Sequence, residues 1–336
     1  LVRACDKCFA TPLYARIHEG LGVLATCDEA KLPKTVRVVH MAQRAARAMA
    51  RPAYLVLDAY FGVGSVFQAA GRERYEQENL VHVLVRAKKT VTAYRPAVRR
   101  KKRKQGRPRK YGQKLRLTAL FDSKAQAGEF RTSEAHVYDR VETIRFLALD
   151  LLWKPIKDKL RFILVETSRG RMVLITSDLH LNPVAAVEMY CRRVRIETLF
   201  DTLKNTLGGM GYHFWSRSLR PISRRPKKNV DQKQESSNVQ RTRHTLAAIE
   251  KFVNLQLLVL GILQLIATLY PERVKGTARC WLRTISSNTP SEFVTRTALK
   301  TILRGELCGL AKDWIAELIR SRQEFPQNQR HGRKVA

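Results

Sequence analysis

The sequence predicts an α/β fold with a β-rich middle and a helical C-terminal region, and three stretches carry that prediction. AYLVLDAYFGVGSVFQAAG, from Ala53, is a short Val- and Leu-rich run that ends on Asp58 and passes through Gly62 and Gly64 into a helical pattern. From Leu115 to Ser177 the text is strand-like, and no long helical pattern interrupts it. Phe252 to Tyr270 is a long, predominantly apolar run. With 336 residues, 44% of them hydrophobic, the chain can bury a substantial core as one large domain or two.

In chain order, residues 12–22, PLYARIHEGLG, read as a strand end entering a Gly-rich turn. Val36 to Ala50 reads as an amphipathic basic helix stopped at Arg51-Pro52. The Ala53 run then forms a buried strand. Strand, acidic tip, glycine turn and helix is how an α/β sheet sets a carboxylate at its carboxyl edge, where ligands bind. The same residue type at such a position also serves as a helix N-cap or turn residue, so Asp58 carries both readings. LVHVLVRAKK, Leu80 to Lys89, is a second buried strand with a basic end, expected beside the first.

RRKKRKQGRPRK at 99–110 places nine cations in twelve positions. Such density cannot bury itself and reads as a mobile loop, with Arg103, Arg107 and Arg109 available to phosphates. Its Gly-Arg-Pro is a short match to a minor-groove hook. Farther on, Ser168 to Arg171 reads as a hairpin turn, and Trp153 as a half-buried sheet residue, with base stacking as its alternative. Asp178, at the end of MVLITSD, competes with Asp58 as a functional carboxylate. Ser177-Asp178 and Asn182-Pro183 also read simply as turn and N-cap residues before a helix.

That helix contains YCRRVRIETLFDTLK, Tyr190 to Lys204. At about 100° per residue, Tyr190, Arg193, Glu197 and Lys204 share a stripe about 60° wide beside an apolar face. Taken alone, this is a surface helix with an ordinary Arg193–Glu197 pair. Gly208-Gly209 stop it, and GYHFW follows, in which His213 either packs among aromatics or lines a site. Residues 216–243, rich in Arg, Lys, Pro, Ser and Gln, read as a linker or a loop over DNA. In the run 252–270, Asn254, Gln256 and Gln264 favour a buried core helix over a membrane span. Residues 271–336 read as two or three short amphipathic helices and a basic tail.

The chain carries 63 Lys and Arg against 29 Asp and Glu, a net charge of +34, which calls for a polyanionic partner, nucleic acid first and a ribosomal or membrane surface after it. Its six cysteines, at 5, 8, 27, 191, 280 and 308, form no disulfide framework, and this favours a reducing cytoplasm. Cys5 and Cys8 make one CxxC without the second ligand pair that a zinc site needs.

The spacing Tyr, two residues, Arg, three residues, Glu, six residues, Lys resembles the signature of bacterial insertion-sequence transposases of the DDE class. DAYF from Asp58 and GYHFW from Gly211 resemble blocks of the same group. The resemblance implies a ribonuclease-H-like core over 1–90 and 179–270, interrupted by a β-rich insertion over 91–178 and followed by a helical region over 271–336. It also implies that Asp58 and Glu197 are the second and third members of a carboxylate triad holding Mg²⁺ or Mn²⁺, and that Tyr190, Arg193 and Lys204 contact DNA. The activity it implies is metal-dependent phosphodiester hydrolysis at transposon ends and strand transfer into target DNA, by dimers on paired ends near the bacterial nucleoid. In similar enzymes the first aspartate lies upstream of a block like PLYARIHEGLG. Asp6, between two cysteines in no clear strand, is the one acidic residue there. The expectation is therefore an N-terminally truncated or degenerate member that binds DNA and cleaves poorly. A non-catalytic DNA- or RNA-binding remnant is the alternative.

Overall fold

The computed structural model describes residues 2–4, 7–18, 32–97, 109–123, 128–138, 140–211, 236–278 and 289–310. Asp6, Arg103, Arg107 and His213 lie outside the described residues, as do the Gly-rich stretch 19–22 and the basic tail. The chain forms two compact units, one of residues 16–198 with 214–250 and one of residues 1–15 with 199–213 and 251–336.

The first of these units is built on a mixed sheet. Helix α1 (Lys34–Ala48) precedes strand β3 (Ala53–Leu57), and helix α2 (Gly64–Ala70) follows it. Next come β4 (Arg74–Tyr75) and β5 (Glu78–Asn79), which pair only with each other, then β6 (Val81–Arg86), β7 (Thr92–Pro96) and β8 (Tyr111–Arg116). Strands β9 (Arg131–Val137), β10 (Arg140–Trp153), β11 (Asp158–Thr167) and β12 (Gly170–Thr176) complete it. The order is β3-β6-β12-β11-β10-β7-β8, with β9 paired to β10. Among the described residues only β3 and β6 run parallel, which the crossover through α2 permits, and β3 is an edge.

Alternating side chains give the sheet two covered faces. Val83, Val85, Phe162, Leu164, Val173 and Ile175 join Val39 of α1 and Val66 and Phe67 of α2 in one cluster. Leu84, Ile163, Val165 and Leu174 form the other with Ala186, Val187, Tyr190 and Cys191 of helix α3 (Pro183–Arg192). Both faces being covered is why these strands read as continuous apolar runs. Trp153 is buried in the first cluster, edge-on to Phe67, as the sheet reading expected.

Two local features are set by close approach or strain. Gly64 opens α2 where a Cβ would stand 2.7 Å from Pro155 Cβ and 3.0 Å from the Pro155 carbonyl oxygen. Tyr138, between β9 and β10, holds φ at +58°, a left-handed conformation that costs a bulky L-residue about 1–2 kcal/mol.

The second unit contains the hairpin β1 (Val2–Ala4) and β2 (Lys7–Phe9), which the sequence did not signal. Its main element is helix α5 (Ser236–Leu269), whose first turns belong to the sheet unit, so 236–243 is helix where a linker was expected. Polar side chains within the apolar run tie it down. Asn254 exchanges two 2.9 Å hydrogen bonds with the Ala15 backbone, and Gln264 donates to the Ala10 carbonyl and to Glu292. Helices α6 (Pro271–Thr277) and α7 (Glu292–Leu310) close a small cluster around Val274, Val294 and Ala298.

Candidate active site

The strand β3 ends at Leu57, and Asp58 follows it at the carboxyl edge of the sheet. Leu57 lies opposite Val85 in the parallel pair, so Asp58 comes level with Arg86, the last residue of β6. Asp58 caps the short 3₁₀ turn Ala59–Phe61, one carboxylate oxygen accepting the Tyr60 N–H at 2.9 Å. The two readings of Asp58 are thus compatible: one oxygen fixes the side chain, and the exposed second oxygen is open to a ligand.

Asp178 stands at the opposite edge. Because β12 runs antiparallel to β6, Asp178 falls beside the start of β3, where Tyr54 donates its hydroxyl proton to it. Tyr54 precedes Asp58 by four strand residues, roughly 13 Å along the strand. Asp178 and Asp58 therefore cannot hold the same ion, and Asp178 makes a turn instead, accepting the His180 N–H at 2.8 Å. Asn182 caps α3 by accepting from Val184 and Ala185, as the sequence indicated.

The stretch from Tyr190 to Lys204 is not the single α-helix that the 100° arithmetic assumed. Helix α3 ends at Arg192, α4 spans Arg195–Asp201, and Thr202–Thr206 is π-helical. Between the first two the hydrogen bonds tighten to i, i−3: Arg193 N–H to Tyr190, Val194 to Cys191, Ile196 to Arg193 and Glu197 to Val194. Arg192, Arg193 and Arg195 crowd like charges here, and β-branched Val194 and Ile196 fit an α-turn poorly. Past the second break the ladder widens, Leu207 N–H reaching Thr202. Gly208, at φ +72°, then ends the segment, and the Gly209 N–H reaches the Leu203 carbonyl at 2.8 Å. That ending is a Schellman-type cap widened by one residue.

The tightened turn has a direct consequence, because residues three apart eclipse in a 3₁₀ geometry. The Arg193 guanidinium sits 5.8 Å from the centroid of the Tyr190 ring, and Arg193 also pairs with Glu197 at 3.6 Å. Tyr190 is 6% exposed, its ring sunk in the α3 face of the core, whereas the Glu197 side chain is 65% exposed. A pair so exposed is worth a few tenths of a kcal/mol, so Glu197 can be released from it at little cost. Lys204 lies in the π-helical turn of the other unit, and Arg109 is exposed just before β8.

Further groups converge on this carboxyl edge that sequence reasoning missed. Tyr138 packs in the same cluster as Tyr190 and Cys191, and the Arg169 guanidinium lies 4.1 Å from its ring centroid. Burial pushes the Tyr138 hydroxyl above its ordinary range, helped by Cys191 and Tyr190 and opposed by Arg169 and Arg86. The signal available was an arginine inside the Ser-Arg-Gly turn and a tyrosine where a turn would favour Asn or Gly.

Asp58 and Glu197 would offer a metal hard carboxylate oxygens, the donor type that suits Mg²⁺ or Mn²⁺, which one or two carboxylates hold together with water and substrate phosphates. Among the described residues, no three His, Cys, Asp or Glu side chains gather around one point.

An acidic strand tip on an α/β sheet, flanked by arginines in a chain of net charge +34, is an arrangement compatible with a polyanionic substrate. Residues 23–213, more than half of the chain, match the family model described as the transposase DDE domain, and the chain belongs to that family. The chain is thus a DDE-class transposase, whose family takes DNA as substrate and generally uses divalent metals. No curated protein matches it.

Proposed function

We propose that the chain is an insertion-sequence transposase in which Asp58 and Glu197 serve as the second and third acidic residues of a ribonuclease-H-like core. The observation that carries this reading is Asp58 at the carboxyl tip of β3, an edge strand paired in parallel to β6. Among the described residues no strand pairs with the outer edge of β3, and that edge can take a further parallel strand. Such a strand would bring the end that carries a third carboxylate beside Asp58. The bound Mg²⁺ or Mn²⁺ would stabilise the attacking and leaving oxygens of a phosphodiester.

Arg193 binds a phosphate next to the attacked bond, held in place by Tyr190, which contributes to DNA binding through that guanidinium. A guanidinium makes two parallel hydrogen bonds to a phosphate. Lys204 supplies a further cation, and Arg109 with Arg103 and Arg107 of the basic run track the DNA backbone. Releasing Arg193 to phosphate frees Glu197 for its own ligand, so the 3.6 Å pair is a resting contact that substrate exchanges. The protein acts in the bacterial cytoplasm on the two ends of its element as a homodimer. Leu255, Leu258, Ile262, Leu265 and Leu269 of α5 support the dimer, being exposed at the alternating three- and four-residue spacing of a helix pair. Residues 239–269 are long and apolar enough to cross a membrane. The Asn254 and Gln264 hydrogen bonds favour a protein-facing helix.

The absence of a three-carboxylate cluster among the described residues favours a second reading, a DNA- or RNA-binding protein without cleavage. Alanine at Asp58 and at Glu197 separates the two. With Mg²⁺ or Mn²⁺ and element-end DNA, a transposase loses any strand cutting, including weak cutting, by at least tenfold in either variant while DNA binding in metal-free buffer persists. No difference from wild type in either assay would leave only the binding protein.

A further inference from the structure

Two tyrosines at the carboxyl edge each carry an arginine. Tyr190 carries Arg193, which is engaged by Glu197. Tyr138 carries Arg169 at 4.1 Å, and the two tyrosines pack in one apolar cluster. Arg169 is exposed and forms no ion pair among the described residues, and Arg86 at the end of β6 is likewise exposed and unpaired there. The backbone around Arg169 is fixed on both sides. Glu142 accepts from the Ser168 N–H and hydroxyl, Thr167 Oγ1 accepts the Arg169 N–H at 3.2 Å, and Gly170 turns the chain at φ +109°. Tyr138 keeps its left-handed backbone although Asn or Gly would hold it with less strain. Strain retained at a cationic edge is the pattern of a functional position rather than of a turn optimised for stability.

We infer that Arg169, posted on the Tyr138 ring and seconded by Arg86, is a DNA phosphate-binding site beside the Arg193–Glu197 pair. It would hold the backbone of the strand that runs past the carboxyl edge. A planar guanidinium lying on an aromatic ring keeps its donor edge outward, so the tyrosine orders the side chain before DNA arrives. The inference rests on the chain being a DNA-binding transposase and adds a contact that the Tyr190 to Lys204 stretch does not contain.

The test is the salt dependence of binding to duplex DNA by the full chain, without divalent metal, for wild type, Arg169→Gln, Arg169→Lys, Tyr138→Asn, Arg193→Gln and Lys159→Gln. Lys159 is the second residue of β11, at the end of that strand far from Arg169. Loss of one phosphate contact lowers the slope of log affinity against log salt by about 0.9 and affinity at about 0.1 M salt by roughly eightfold. Arg169→Gln is expected to show that loss with an unchanged melting temperature. Arg169→Lys keeps the slope with weaker binding, because an ammonium does not lie flat on the ring. Tyr138→Asn, which tolerates the left-handed backbone, weakens binding while retaining most of the slope. If Arg193→Gln weakens binding and Arg169→Gln does not, the inference is wrong and the transposase reading stands. If Lys159→Gln costs as much as Arg169→Gln, the effect is net charge alone and the site does not exist. Wild-type protein that fails to bind duplex DNA removes both.

Discussion

Tyr54 and Asp178 join the start of β3 to the end of β12, and their hydrogen bond makes the edge strand sensitive to pH. Partial burial pushes the Asp178 carboxyl up, but the Tyr54 hydroxyl, the His180 N–H and the nearby His82 and His180 rings outweigh it and hold the carboxyl below its ordinary range. A carboxyl depressed in the folded state stabilises the protein above its unfolded pKa of about 3.9 and loses that contribution as pH falls through the folded value. Burial first, then Asp178, raises the Tyr54 hydroxyl well above its ordinary range. Its contribution is complete below the unfolded value of about 10 and fades as pH rises past it. Tyr54→Phe should therefore flatten the melting temperature profile at both the acid and the alkaline end, with the largest loss near neutrality, where the hydrogen bond contributes fully. Equal losses at pH 3, 7 and 11 would mean that packing, not the hydrogen bond, was removed. The carboxylate at the strand tip was legible in the sequence because a hydrophobic run ended on it. The burial of Tyr190 was not, since a tyrosine in a signature reads as a ligand contact whether its ring faces DNA or the core.

Among the elements, the β3–α2 connection shows how backbone approach positions the tip. The Pro155 carbonyl and ring leave no room for a Cβ at Gly64. Gly64→Ala should destabilise the fold by about 1–3 kcal/mol, read as a lower urea midpoint with unchanged slope, because backbone must move to admit the methyl. A midpoint unchanged or raised would show that the approach is soft. The strands were legible as elements because burial on both faces writes continuous apolar runs, and β6 was expected beside β3, though not its parallel orientation. The signature helix was legible as helical but not as interrupted. Its 3₁₀ turn and π-helical segment arise where crowded arginines and β-branched residues meet the packing of Tyr190, which periodicity at 3.6 residues does not express. That interruption is what sets Arg193 over Tyr190, so the departure from regularity lies at the proposed site.

For the whole molecule, a net charge of +34 makes a polyanionic partner legible from composition alone, but not which edge meets it. The β3–β6 neighbours were expected, but the rest of the sheet order was hidden because long-range pairing leaves no local trace: from β6 the sheet runs through β12 before returning to β7. The central claim is that Asp58 and Glu197, 139 positions apart in sequence, serve one metal-dependent reaction. Mn²⁺ titration of the full chain followed by electron paramagnetic resonance, in the presence of duplex DNA, tests this most directly when wild type is compared with Asp58→Asn and Glu197→Gln. Removing either carboxylate is predicted to weaken Mn²⁺ binding by about tenfold or more, since affinity follows the number of charged ligands. Wild-type affinity in either variant would contradict a site shared by Asp58 and Glu197.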